Sequence, residues 1–230
     1  MTVKLRQPSD TIRLLILLCF IGGITDTYTY FIRGEVFVNA QTGNLINMSM
    51  HIMKGEWREA AYYLFPLSIF TFGIFSAEVL RGHLKEINAK NDKILHWRQI
   101  ILIVEIIVFT LVAFVPSGKY DVFVNMALSY ISALQYQTFK KTNGSVVATT
   151  MCTGNLRNGT EWLYQYVMKR KEEDKKKVIV YFGSILFFIT GCLICSFVIT
   201  HIKVKEYAIL FTLPFAVLAF HYMKNRNKNF

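Results

Sequence analysis

Charge is scarce in this sequence, and acidic charge scarcer still. Asp, Glu, Lys and Arg make up 18% of the 230 residues, whereas an average soluble chain carries about 25%. Disulfide signals are absent too: Cys19, Cys152, Cys192 and Cys195 sit in or beside apolar runs, so they offer neither a framework nor a compartment signal. Cys192-x-x-Cys195 has no accompanying His or second CxxC, and packing is the reading that spacing supports best. His51, His83, His96, His201 and His221 are scattered without ligand spacing. No HExxH, GxSxG or Asp/His-rich cluster occurs. These absences argue against a soluble enzyme, a disordered chain and a disulfide scaffold. They also leave no residues to assign to a metal, a cofactor or a catalytic set.

What is present is apolar. Hydrophobic residues reach 53% with 19 Phe, and the mean hydropathy is +0.34. A membrane-spanning helix needs about 20 mostly apolar residues. Six stretches qualify: Leu14–Ile32, Ala60–Leu80, Gln99–Pro116, Tyr120–Phe139, Val178–Thr200 and Glu206–Met223. The expected fold is therefore all-α, a polytopic membrane protein. The fourth stretch is the most polar, with Asp121, Asn125, Gln135 and Gln137. The first continues through Thr25-Asp26-Thr27 past Ile32, too long and polar for a signal peptide, so it reads as a retained span.

The net charge of +11 would suggest nucleic acid on a soluble domain. Here its placement matters more. With a cytoplasmic N-terminus, 20 Lys and Arg fall inside and 6 outside, the latter including Arg33. That split sets both termini in the cytoplasm, in a multi-pass membrane protein. The run from Lys169 to Lys177 reads as a solvated loop that attracts anionic membrane lipid, and no nucleic-acid motif surrounds it.

A motif recurs. Thr42-Gly43-Asn44-Leu45 returns as Thr153-Gly154-Asn155-Leu156, each after a polar-spotted span and before an amphipathic stretch and a very apolar span. The units are residues 1–116 and 117–230, three spans each. An odd number of spans per unit forces opposite orientations, so the halves read as inverted repeats forming one membrane domain. One Thr-Gly-Asn segment would enter from each side, where Gly permits unusual angles or close approach and Thr and Asn bond loose backbone groups. A capped turn between helices is the simpler alternative.

The stretch Gly22-Gly23-Ile24-Thr25-Asp26-Thr27, followed by Gly34-Glu35-Val36-Phe37-Val38-Asn39-Ala40-Gln41-Thr42-Gly43-Asn44, resembles the signature of the YoaK-type bacterial membrane proteins, a domain-of-unknown-function family. In the second half Ala133-Leu134-Gln135-Tyr136 stands where that family often has Gly-Leu-Gln-Asn. Thr27, Ala133 and Tyr136 depart from the pattern. The resemblance implies a six-span protein of the bacterial inner membrane and no mechanism.

Asp26 lies mid-span, where an ionisable residue is by default a functional candidate and otherwise a structural hydrogen-bond partner. Glu105 is open to pairing with Arg98, interface anchoring or a place on a pathway. Glu78 reads as a salt bridge with Arg81. Asp121 and Glu206 read as water-facing, and Gln137 as an interhelical hydrogen bond. The expected solute site is Asp26, Thr42, Gly43, Asn44, Gln135, Thr153, Gly154 and Asn155, with Asp26 and Glu105 as coupling or structural carboxylates. The expected activity is a small permease or channel-like transporter for an unidentified solute or ion. The alternatives are a structural or regulatory membrane module and a membrane-embedded enzyme. Oligomeric state is not legible.

Overall fold

A computed structural model describes residues 11–90, 97–142, 145–150 and 152–227. Lys4, Arg6, Lys93 and Lys228 of the charge count, and His96 among the scattered histidines, lie outside the described residues. In chain order the helices are α1 (Ile12–Ile32), α2 (Gln41–Met53), α3 (Trp57–Lys90), α4 (Trp97–Ala113) and α5 (Asp121–Thr138). A two-residue hairpin follows, β1 (Lys141–Thr142) antiparallel to β2 (Ser145–Val146). Then come α6 (Cys152–Lys169), α7 (Glu172–His201), a 3-10 segment (Lys205–Thr212) and α8 (Leu213–Asn227).

Four described stretches are long and apolar enough to cross a membrane: Ile12–Ile32, Trp57–His83, Glu172–His201 and Lys205–Met223. The other two expected spans are helical but less suited to it. α4 has 17 residues, and α5 carries Asp121, Asn125, Gln135 and Gln137. The expected span Glu206–Met223 is not one regular helix, because it changes from 3-10 to α geometry at Leu213-Pro214. Proline lacks an N–H, which the first turn of a helix does not need.

α1 is apolar nearly all round, and such a helix belongs inside. About 67% of its apolar window is buried, against 28% for each of α3 and α7. Those two leave Phe65, Phe72 and Phe75, and Leu186, Leu193 and Phe197, exposed. Large apolar side chains on the outside suit a hydrocarbon surrounding better than water. The interior is built from Leu18, Ile21, Ile24, Tyr28, Leu102, Phe109, Leu128 and Ile131. Trp97, at the start of α4, is buried with Ala77, Ile101 and Leu134.

Packing between elements is crosswise. α1 lies along α7 and α5 lies along α3, while α2 packs on α3 and α6 on α7. α4 meets both α5 and α8, and α8 meets α1. Small residues make the long crossings possible, as is usual between membrane helices. A Cβ at Gly23 would run into the Phe188 carbonyl, and one at Gly191 into the Phe20 carbonyl. On the other crossing, a Cβ at Gly73 would lie 2.7 Å from the Ala133 Cβ.

Arg33 corrects the sequence reading. Counted there as a loop charge, it is fully buried at the end of α1. Its guanidinium meets Asp121 Oδ1 at 2.9 Å and donates to Tyr28 Oη at 2.8 Å and to the Val115 carbonyl at 2.7 Å. The Arg33 carbonyl accepts from Tyr62 Oη and Asn125 Nδ2. Asp121, expected to face water, is thus buried and paired, and its Oδ2 accepts from the Gly118 N–H at 2.9 Å. Glu206 is half-buried and accepts from Ser117. Gln137 donates to Glu78, which also meets Arg81 at 3.2 Å and Lys140 at 3.1 Å.

Candidate functional site

Each Thr-Gly-Asn segment lies in the first turn of a helix, α2 or α6. In each, the Asn side chain folds back onto the irregular segment that precedes the helix. Asn44 Oδ1 accepts from the Phe37 N–H at 2.9 Å, and its Nδ2 donates to the Phe37 carbonyl at 2.6 Å. Asn155 does the same to Ala148, at 3.1 and 2.6 Å. A side-chain amide here serves both polar groups of one backbone residue, which have no sheet partner. The sequence reading of these Asn residues as binders of loose backbone groups holds, although neither is an N-cap residue. The N-cap of α2 is Ala40, without a side-chain hydrogen bond.

The two segments are then anchored differently. Asp26 Oδ1 on α1 accepts from the backbone N–H groups of Val38 and Asn39, at 2.9 and 2.8 Å. Asn39 Nδ2 donates to Thr25 Oγ1 at 3.2 Å. The first segment is therefore tied to the helix that precedes it. The second is tied to the helix that follows: Asn155 Nδ2 donates to Ser184 Oγ at 2.9 Å and Tyr181 Oη to the Val146 carbonyl at 3.1 Å, both from α7.

Between the segments lies a cavity of about 460 Å³. Asn39, Ala40, Gln41 and Thr42 form one wall, and Thr150, Cys152, Thr153, Gly154 and Asn155 another; Tyr136, Lys140 and Phe188 also border it. Of the residues expected from sequence, Thr42, Thr153, Gly154 and Asn155 line the cavity. Gly43 and Asn44 stand behind the wall: a Cβ at Gly43 would lie 2.6 Å from the Phe37 ring, and Asn44 is buried against Phe37. Asp26 borders a neighbouring, mostly apolar cavity of about 310 Å³, with Tyr30, Phe37 and Cys192; Ala40 and Phe188 border both cavities. Gln135 is buried, donates to the Leu18 carbonyl at 3.4 Å and does not line the main cavity, which Tyr136 of the same helix does. Glu105 lies in neither wall. It is buried in α4, and neither carboxyl oxygen has a hydrogen-bond partner among the described residues.

The repeated glycine was expected to need unusual angles or close approach. Among the described residues the glycines with positive φ are Gly34, Gly55 and Gly118. Gly43 and Gly154 are ordinary helical residues, and a Cβ at Gly154 would meet nothing within 4 Å. Only Gly43 makes a close approach.

Sequence reasoning missed Asn39, Gln41, Tyr136, Lys140, Thr150 and Phe188 as wall residues. A signal for two of them was present. At the spacing that aligns Asn44 with Asn155, Asn39 aligns with Thr150.

A family model described as "Protein of unknown function (DUF1275)" matches residues 14–221. The match covers most of the chain, which therefore belongs to that family. No curated protein and no solved structure matches the chain.

Proposed function

We propose that this family member is a small permease or channel-like transporter, with its solute site in the 460 Å³ cavity between the two Thr-Gly-Asn segments. That cavity is the observation that carries the reading, because residues of both copies of the repeated motif line it. In this reading the chain has six spans in two inverted halves, residues 1–116 and 117–230, and is of the YoaK type. Both termini are cytoplasmic, in a bacterial inner membrane. The crosswise packing supports the inverted relation, since each half's first long helix lies on the other half's second. The matching Asn44 and Asn155 clamps support it too. Solute sites of inverted-repeat transporters sit at the interface of the halves, beside interrupted helices. Non-helical backbone within a membrane is tolerated where it is buried or lines a wet cavity. A purely structural module would instead bring the halves together without such a space.

Uptake by proteoliposomes, run against a broad panel of small solutes, tests this. Gly154→Trp places a bulky ring where a Cβ meets open space, so it should abolish uptake while the protein elutes and melts as the parent does. Undiminished uptake by that variant would contradict the assigned site. Asp26 is the assigned coupling carboxylate, and Asp26→Asn should leave binding but abolish proton- or cation-driven accumulation; unchanged accumulation would remove it from that role.

A further inference from the structure

The smaller cavity, of about 310 Å³, is bordered by α1, the segment before α2, and α7. Its wall combines one acidic residue with four aromatic rings, out of eight lining residues. The acid is Asp26. The Val38 and Asn39 N–H groups engage its Oδ1, and the Ala40 N–H faces the same carboxyl. These backbone dipoles fix where the carboxyl sits but bring no net charge to it. Among the described residues no Lys, Arg or His makes an ion pair with Asp26, and none lines this cavity. An ionised carboxyl in apolar surroundings calls for a partner of opposite charge. An intramembrane carboxyl without such a partner in its own chain is a functional candidate.

The rings are a separate observation. Tyr30 stacks on Phe37 at 5.0 Å and meets Phe31 edge-on at 5.5 Å. A contiguous aromatic wall therefore runs from the end of α1 onto the segment before α2, and Phe188 stands on the α7 side. The face of an aromatic ring is negative and attracts cations, and aromatic enclosures are the recurrent sites for quaternary ammonium groups. A bare metal ion fits less well. Hard cations take about six or more oxygens, and the described residues hold no group of three His, Cys, Asp or Glu able to bind a metal.

We infer that this smaller cavity binds an organic monocation, a quaternary or protonated amine with an apolar body. Its charge meets Asp26, and its body lies against Tyr30, Phe31, Phe37 and Phe188. The volume of about 310 Å³ reaches the lower end of the range of roughly 300–1,000 Å³ usual for small-molecule sites. Ala40 and Phe188 border both cavities, so the cation site adjoins the proposed solute site, is additional to it and does not rest on it. Each cavity also has a native reporter, Cys152 for the larger and Cys192 for the smaller.

Calorimetric titration of the full chain in lipid nanodiscs, corrected for empty nanodiscs, tests this with phenyltrimethylammonium, benzyl alcohol, benzoate and sodium. The ammonium should bind tenfold or more tightly than the neutral and anionic ring compounds, and sodium should not displace it. Asp26→Asn, which keeps an acceptor for Val38 and Asn39, should weaken that binding at least tenfold. Phe31→Leu alters a ring with 63% of its surface exposed. It should weaken binding severalfold without shifting thermal unfolding, so it carries the test if the Asn variant misfolds. Bound ammonium should also slow alkylation of Cys192 by N-ethylmaleimide and leave Cys152 unaffected, read by peptide mass spectrometry. Equal or tighter binding of benzyl alcohol or benzoate, or displacement by sodium, would overturn the organic-cation assignment. Unaltered ammonium binding by a folded Asp26→Asn or by Phe31→Leu would overturn the placement, as would protection of Cys152 in place of Cys192. Absence of ammonium binding with solute uptake intact would overturn this inference alone; ammonium binding without uptake of any solute would overturn the transporter reading alone.

Discussion

The two Thr-Gly-Asn segments share a clamp and differ in what holds it. Asn44 and Asn155 grip one backbone residue each, with near-identical bond lengths on the donating side. Around Asn44 the supports include carboxyl groups: Asp26 receives two backbone N–H groups, and α1 ends in the buried Arg33–Asp121 pair. Around Asn155 they are neutral: a serine and a tyrosine of α7, and the β1–β2 hairpin that follows α5. The second segment also keeps the Thr149 and Thr150 hydroxyls without partners among the described residues, side by side in the chain. The contrast teaches that a motif repeated for its geometry need not repeat its energetics. The first segment leans on a carboxylate of α1 and lies beside an ion pair that joins the two halves, whereas the second is held by neutral side chains.

The sharpest break of that contrast is Arg33→Met. It leaves Asp121 buried without its partner, which should cost about 3–5 kcal/mol, read as a large drop in thermal stability of the detergent-solubilised chain. A loss under about 1 kcal/mol, the range of exposed pairs, would show that the end of α1 is not held by charge. Next come the clamps themselves. Asn44→Ala and Asn155→Ala each strand a backbone N–H and C=O, and each should cost about 1–3 kcal/mol by denaturant titration. If one substitution were silent, the two segments would not be equivalent. Gly43→Ala and Gly154→Ala separate the halves in a different way. The first pushes a methyl onto the Phe37 ring and should destabilise by about 1 kcal/mol or more, whereas the second meets open space and should stay within about 0.5 kcal/mol. The mildest is Asp26→Asn, which keeps an acceptor for Val38 and Asn39 but removes its charge. Its loss should be about 1 kcal/mol, visible as faster hydrogen exchange at those two amides and not at Ala148; equal acceleration at Ala148 would mean a global effect.

Much of the fold was legible in the sequence because apolar length and repetition are local signals. Each expected stretch is largely helical, although α3 runs on to Lys90 and α7 begins at Glu172, and the repeated Asn residues do bind loose backbone groups. Arg33 and Asp121 were misread for a physical reason. Each looks like an interface charge on its own, and only the folded chain brings α1 and α5 close enough to bury the pair. Asp26 stood out as an intramembrane carboxylate, yet its partners, the Val38 and Asn39 amides, are backbone groups that no side-chain pattern announces. The cavity was half legible: the motif named Thr42, Thr153, Gly154 and Asn155, but Tyr136 and Phe188 reach it from other helices. The break in the last apolar stretch was signalled by Pro214, which a hydropathy window does not register.

The encounter of the two motif segments is tested most directly by cross-linking in native membranes. Cys19, Cys152, Cys192 and Cys195 are first replaced with alanine or serine, and Thr42→Cys and Thr153→Cys are introduced together. Both positions border the same cavity, so a short bismaleimide should join them within one chain, giving a bond that survives reduction and links fragments cut between α2 and α6. Labelling of each cysteine alone, with no cross-link in the double variant, would place the segments apart and contradict the shared cavity.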